Sequence, residues 1–125
     1  MHARTFLWYW GPIILYAGII FYFSSIPILG LPGPGPAELK DKYWHLLEFF
    51  VLAALLLRAW HAYQWRNAYY FAILFTILYG ALDEIHQLFV PGRVASVVDV
   101  AMDSGGALMV WILRIVRNNK DIFKR

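Results

Sequence analysis

The sequence predicts an all-α fold: a polytopic membrane protein with four transmembrane helices in a compact bundle and both termini in the cytoplasm. Three observations carry that expectation. Hydrophobic residues make up 61% of the chain and charged residues 15%, at a mean hydropathy of +0.54, whereas a soluble domain carries about a quarter charged residues. Four apolar stretches approach the roughly 20 residues that cross a hydrocarbon core of about 30 Å. Basic and acidic residues also separate to opposite sides of such an arrangement. The length of 125 residues is that of one domain, residues 1–125.

The first span is expected over about 6–26, where Phe6 to Phe23 is free of charge. Its apolar run is longer than a signal-peptide core and no small-residue cleavage site follows, so it is expected to be retained. Pro27 to Pro36, with four prolines and three glycines, predicts a loop. Pro36 or Asp41 suits the start of the second helix, as a first-turn proline or an aspartate cap. The second span is expected over 43–60, apolar except for His45, Glu48 and Arg58. The third runs over 68–89 and is clean until Asp83. The fourth, over 97–116, is interrupted by Asp99, Asp103, Gly105 and Gly106, with Arg114 near its end.

With four spans, Arg4, Arg58, Arg66, Arg114, Arg117, Lys120, Lys124 and Arg125 share one side, against Lys40, Lys42 and Arg93 on the other. The excess of Lys and Arg marks the cytoplasmic side, and Trp8, Trp10, Trp60, Tyr63 and Trp65 suit an aromatic belt there. The acids reverse the pattern. Of eight, only Asp121 is cytoplasmic; Glu38, Asp41, Glu48, Asp83, Glu84, Asp99 and Asp103 belong to the outer half. The absence of cysteine excludes disulfides and thiolate metal sites. Basic residues that flank apolar spans, with no continuous patch, argue against nucleic acid as a partner.

Helical spacing gathers the polar residues into stripes. Asp41, His45 and Glu48 are i, i+4, i+7 on one face, with Lys42 three residues before His45. Asp83 shares a face with His86 and Gln87, while Glu84 lies about 100° round the helix. Ser96, Asp99 and Asp103 step along one face of the fourth helix. An ionised carboxylate facing lipid costs at least a few kcal/mol, so the three stripes are expected to turn toward one another around a polar cavity open to the outer surface. Each residue also has a plainer reading. Asp83 and Glu84 suit a solvated helix end, His45 an interior histidine bonded to Glu48 or a carbonyl, and Glu48 a salt bridge. Arg93 suits a solvated loop, and Ser24 and Ser25 the end of the first span. Gly105 and Gly106 suit close helix packing.

The stretches "FYFSSIP", "DKYWHLLEFFVLAALLL" and "YGALDEIHQLFVPGRVASVVDVAMDSGGALM" resemble the VanZ-like family of small bacterial membrane proteins, whose relatives include one linked to teicoplanin resistance. The matching positions are Asp41, Lys42 and His45; Asp83, Glu84, Gln87 and Phe89; Pro91, Gly92 and Arg93; then Asp99, Asp103 and Gly106. With the first span they cover nearly the whole chain, in the family's order. Position 103 departs from it, carrying aspartate where many members have asparagine. The resemblance implies a multi-pass protein of the bacterial plasma membrane acting at the cell envelope, and it supplies no reaction.

Two functions fit these residues. In the first, the polar layer binds a lipid head group or another envelope component and modulates the envelope, with Lys42, Arg93 and Ser96 holding an anion. In the alternative, a membrane enzyme acts on a lipid-linked or phosphate-bearing substrate. Its catalytic candidates are His45, Glu48, Asp83, Glu84, Gln87 and Asp99, with the carboxylates and the imidazole available for acid–base work. Glu84, Asp99 and Asp103 are the candidates for a hard divalent cation such as Mg²⁺ or Ca²⁺, since Zn²⁺ favours more histidines. Asp41, Pro91, Gly92, Asp103, Gly105 and Gly106 are expected to be structural. No nucleophile motif, phosphate loop or His-Glu-x-x-His stands in the chain. The expected partner is a membrane lipid or lipid-linked envelope intermediate, and a pore or transport path would require a homo-oligomer.

Overall fold

A computed structural model describes the backbone of residues 3–27 and 36–122, and the side chains of residues 4–27 and 42–116. Four helices run in chain order: α1 (Ala3–Ser24), α2 (Pro36–Ala62), α3 (Ala68–Gln87) and α4 (Val97–Ile122), with no strand among the described residues. Three stretches, Arg4–Ser24, Lys42–Ala62 and Ala68–Gln87, are long and apolar enough to cross a membrane. At 26 residues α4 is also long, but Asp99, Asp103 and Arg114 interrupt it. The second helix starts at Pro36, the earlier of the two expected positions. The third stops at Gln87, two residues short of expectation, and α4 continues past 116. Residues 28–35 of the expected loop, and the side chain of Asp41, lie outside the described residues.

The helices alternate in direction. At one end Arg58 of α2 lies over Trp8 and Tyr9 of α1, and Arg114 of α4 lies over Tyr69 of α3. At the other, Gln87 of α3 meets Ser24 of α1, and His45 of α2 meets Asp103 of α4. The central helix is α2, which packs on the other three; among the described residues α1 does not touch α4.

Polarity is inverted relative to a water-soluble fold. Ile14, Leu15 and Tyr22 on α1 are about two-thirds exposed, whereas Ser24, His45, Thr76, Asp83, Glu84, Gln87, Asp99 and Asp103 are buried. Such a surface suits hydrocarbon, and the polar groups must then find partners inside. Thr76 and Ser104 do so locally, each hydroxyl donating to the carbonyl four residues earlier, Ala72 and Val100.

Because lipid tails are as apolar as leucine, close packing replaces the hydrophobic effect between spans. Between α1, α2 and α3 the core is large: Ile13, Ile20, Phe49, Leu52, Leu56 and Trp60. Between α2 and α4 it is small, with Ala53, Ala107 and Val110. There Gly106 lies against the α2 backbone, since a Cβ built on it would overlap the Leu46 carbonyl oxygen and stand 2.9 Å from the Phe50 nitrogen. Gly105 differs: its Cβ would meet only Leu46 Cδ1, at 3.9 Å.

Pro12 lies inside α1. Proline has no N–H, so the carbonyl of Trp8, four residues earlier, loses its intrahelical donor. The Arg58 guanidinium of α2 donates to that oxygen at 3.4 Å, a case of a neighbouring helix satisfying a freed backbone group.

The two described turns have identifiable chemistry. After α2, Gln64 has φ 55°. Trp65 N–H bonds to Trp60 O and Gln64 N–H to His61 O, the paired bonds of a Schellman stop, over which the Trp60 and Trp65 rings stack. After α3, Arg93 N–H bonds to Val90 O across Pro91 and Gly92. Gly92 has φ 78°, as the third position of a type II turn requires. Ser96 then caps α4, its hydroxyl accepting from Val98 N–H at 3.2 Å.

Candidate functional site

The polar side chains converge at the end of the bundle where α1 and α3 finish and α2 and α4 begin. They form two adjoining groups rather than one ring. The division arises on α3, where consecutive residues point about 100° apart.

Asp83 turns toward α1. Gln87, one helical turn on, donates through Nε2 both to Ser24 Oγ (3.0 Å) and to Asp83 Oδ2 (3.2 Å). An amide nitrogen has two N–H groups and both are used here. Beside this pair, His86 Nε2 lies 2.9 Å from Ser25 Oγ, and its ring stacks on Phe21 at 4.5 Å. Arg93, brought back by the Pro91–Gly92 turn, donates to Phe23 O at 3.1 Å.

Glu84 turns the other way, toward α4. Its Oε2 accepts the Ser96 backbone N–H at 2.9 Å, which ties the cap of α4 to α3. On the facing helices, His45 Nδ1 lies 3.1 Å from Asp103 Oδ1, and Lys42 Nζ donates to Asp99 Oδ1 at 3.2 Å. Gly80 makes room for this group: a Cβ there would come within 2.9 Å of Asp103 Oδ2 and 3.1 Å of Phe49 Cε1.

Between α1, α2 and α3 opens a cavity of about 650 Å³. Its polar lining is Ser24, His45, Glu48, Asp83, Gln87 and Arg93, and its apolar wall includes Tyr16, Ile19, Ile20, Trp44 and Val51. His45 belongs to both groups, lining the cavity while facing Asp103. Glu84, Asp99, Asp103, Lys42 and Ser96 stand outside the cavity lining; Glu84 and Ser96 instead line a smaller recess of about 290 Å³ beside α4.

This geometry redistributes the sequence-derived set. Asp83 and Gln87 face α1 and the cavity with His45, and Glu84 is the α3 residue that faces α4. Lys42 is bound to Asp99 and Ser96 caps a helix, so of the three residues expected to hold an anion only Arg93 lines the cavity. Ser24, Ser25, Gly80 and Arg58 were not singled out as site or packing residues. Ser24 and Ser25 read as an ordinary helix end: Ser25 Oγ does donate to Phe21 O four residues earlier, but the α3 partners of both serines, His86 and Gln87, stand more than 60 positions away in the chain.

Buried carboxylate oxygens remain at the site: Asp83 Oδ1, Glu84 Oε1 and Asp103 Oδ2, together with Arg93 Nε, have no hydrogen-bond partner among the described residues. Such groups are costly unless something pairs with them. Neither curated proteins nor solved structures match this chain. A family model described as VanZ/LLP1 matches residues 9–118, which span α1 to α4 and all the residues of the site; the chain belongs to the VanZ/LLP1 family.

Proposed function

We propose that this protein crosses the bacterial plasma membrane four times with both termini in the cytoplasm. We propose also that its cavity binds a lipid head group, or a lipid-linked envelope intermediate, at the outer leaflet. The observation that carries the binding proposal is the two-sided cavity. Six polar side chains line one cavity of about 650 Å³ together with an apolar wall that includes Tyr16, Ile19, Ile20, Trp44 and Val51. Arg93 has donors suited to a phosphate, while Glu48 and Asp83 face the same space. A head group carrying both phosphate and amine therefore matches the lining better than a simple anion.

Loss of binding on Arg93→Gln is the test. The purified wild type should retain phosphatidylethanolamine in native mass spectrometry, and the variant should lose it about tenfold while remaining monodisperse. Equal retention would remove the proposal. In cells, the same reading places the protein as a modulator of the envelope in a glycopeptide-resistance-type role. Expression should shift teicoplanin susceptibility, and Arg93→Gln should abolish the shift.

The orientation proposal rests on the eight-to-three division of Lys and Arg and on the aromatic cluster of Trp10, Trp60, Tyr63 and Trp65 at the arginine-rich end. The chain has no cysteine, so single cysteines report cleanly. In right-side-out vesicles an impermeant maleimide should label Val94→Cys, and should label Gln64→Cys only after permeabilisation. The reverse pattern would invert the topology.

One observation favours an enzyme as the second reading. His45 lines the cavity while Asp103 holds its Nδ1, as a carboxylate orients a catalytic histidine. Under it, His45→Gln abolishes a change in a phosphate-bearing lipid that wild-type membranes produce; under the binding reading no such change occurs.

A further inference from the structure

Beside the cavity, where α2, α3 and α4 meet, one ligand atom each from His45, Glu84 and Asp103 lies within 4.8 Å of the other two. All three residues are more than nine-tenths buried, at 7%, 4% and 1% exposure. Each comes from a different helix, so no local spacing in the chain announces them.

From this we infer a divalent-metal site formed by His45, Glu84 and Asp103, selective for a first-row transition ion such as Zn²⁺ or Mn²⁺ over Mg²⁺ or Ca²⁺. Two independent features point the same way. The first is the state of the carboxylate oxygens. Glu84 Oε2 is anchored by the Ser96 N–H, a group outside the ligand set, while Glu84 Oε1 and Asp103 Oδ2 are buried without a hydrogen-bond partner among the described residues. Metal-ligating carboxylates are characteristically held by hydrogen bonds of this kind. The second is spacing. Metal–ligand bonds of about 2.0–2.2 Å set neighbouring ligand atoms roughly 3–3.6 Å apart, so atoms within 4.8 Å of one another reach a common ion through side-chain shifts of up to about 1–2 Å.

Charge balance agrees. Asp99 already has Lys42 as its partner at 3.2 Å. Glu84 and Asp103 stand close together in a medium where two bare carboxylates repel strongly, and a dication between them cancels both charges. An imidazole nitrogen in the set is what shifts preference from the hard, all-oxygen ions toward transition metals. Three protein ligands leave coordination positions for water or a bound group. This set has His45 where the sequence-based expectation has Asp99, which lies one turn nearer the start of α4 and pairs with Lys42.

The site is independent of the head-group reading, because the readout is metal and not lipid. Tag-free protein purified in detergent, stripped with chelator and equilibrated with Zn²⁺ or Mn²⁺, should carry about one equivalent by elemental analysis, consistent with the three-ligand site. Mg²⁺ or Ca²⁺ in large excess should not displace it. Co²⁺ should give the visible d–d bands of a nitrogen–oxygen site, and these bands should disappear in His45→Gln. Glu84→Gln and Asp103→Asn should each weaken retention at least ~10-fold, while Asp99→Asn keeps it. If a variant fails to fold, the wild type still decides: chelator should lower its melting temperature and Zn²⁺ or Mn²⁺ should restore it. Less than about a tenth of an equivalent bound to wild type, or Co²⁺ bands unchanged in His45→Gln, would overturn the inference.

Discussion

Gly106→Ala is expected to be among the most damaging single-methyl changes in this protein, and Gly105→Ala among the mildest. The added Cβ at 106 falls on the α2 backbone, against the Leu46 carbonyl and 2.9 Å from the Phe50 nitrogen. Backbone cannot rotate out of the way as a side chain can, so α2 and α4 must separate. Overpacking of this kind costs about 1–3 kcal/mol and sometimes more. It also draws Asp103, three residues before Gly106 on α4, away from His45, one residue before Leu46 on α2. At 105 the new methyl makes an ordinary contact, 3.9 Å from Leu46 Cδ1, and the change should stay within about 0.5 kcal/mol. Thermal unfolding in detergent, run on both variants, checks the contrast. Equal melting temperatures for the two would show that the helices do not approach at Gly106.

Gln87→Glu should be nearly as severe, although it changes no volume. Gln87 is 3% exposed and its Nε2 donates to both Ser24 and Asp83. A carboxylate in its place has no N–H to give and sets an acceptor 3.2 Å from the Asp83 carboxylate. Leaving buried charged groups without donors costs at least about 2–3 kcal/mol. The decisive arm is the double variant Asp83→Asn/Gln87→Glu, which restores one donor and one acceptor in exchanged positions. It should recover a large part of the lost stability, giving a coupling energy of at least about 1 kcal/mol in a double-mutant cycle. Additive losses would mean that the two side chains do not interact.

Helix order and approximate extent were legible because the signal is local. Apolar runs near 20 residues, a ten-residue Pro/Gly-rich stretch and a Pro-Gly pair mark α1 to α4 within a few residues. The inverted distribution of acids was legible too, and it located the polar layer at one end. The partners inside that layer were not. The i, i+4 rule put Asp83 with Gln87 correctly, since both stand on one helix. It was silent on Ser24, which lies 63 positions from Gln87 in the chain. The same blindness applies to Arg58 and the Trp8 carbonyl. Proline 12 announces an unpaired oxygen, but nothing in the sequence says which side chain, 50 residues away, reaches it.

The sequence by itself determined the succession of helices, their apolar, membrane-type character and which residues carry charge into the apolar interior. Tertiary structure alone decided how those charges divide. Asp83 and Glu84 are neighbours in the chain, yet a helix turns 100° per residue, so one faces Ser24 and the cavity while the other joins His45 and Asp103. Which residue faces which helix depends on the rotation of α3 about its own axis. That rotation is set where Gly80 admits Asp103 and where Gly106 lets α4 close on α2, contacts between segments that no spacing rule connects.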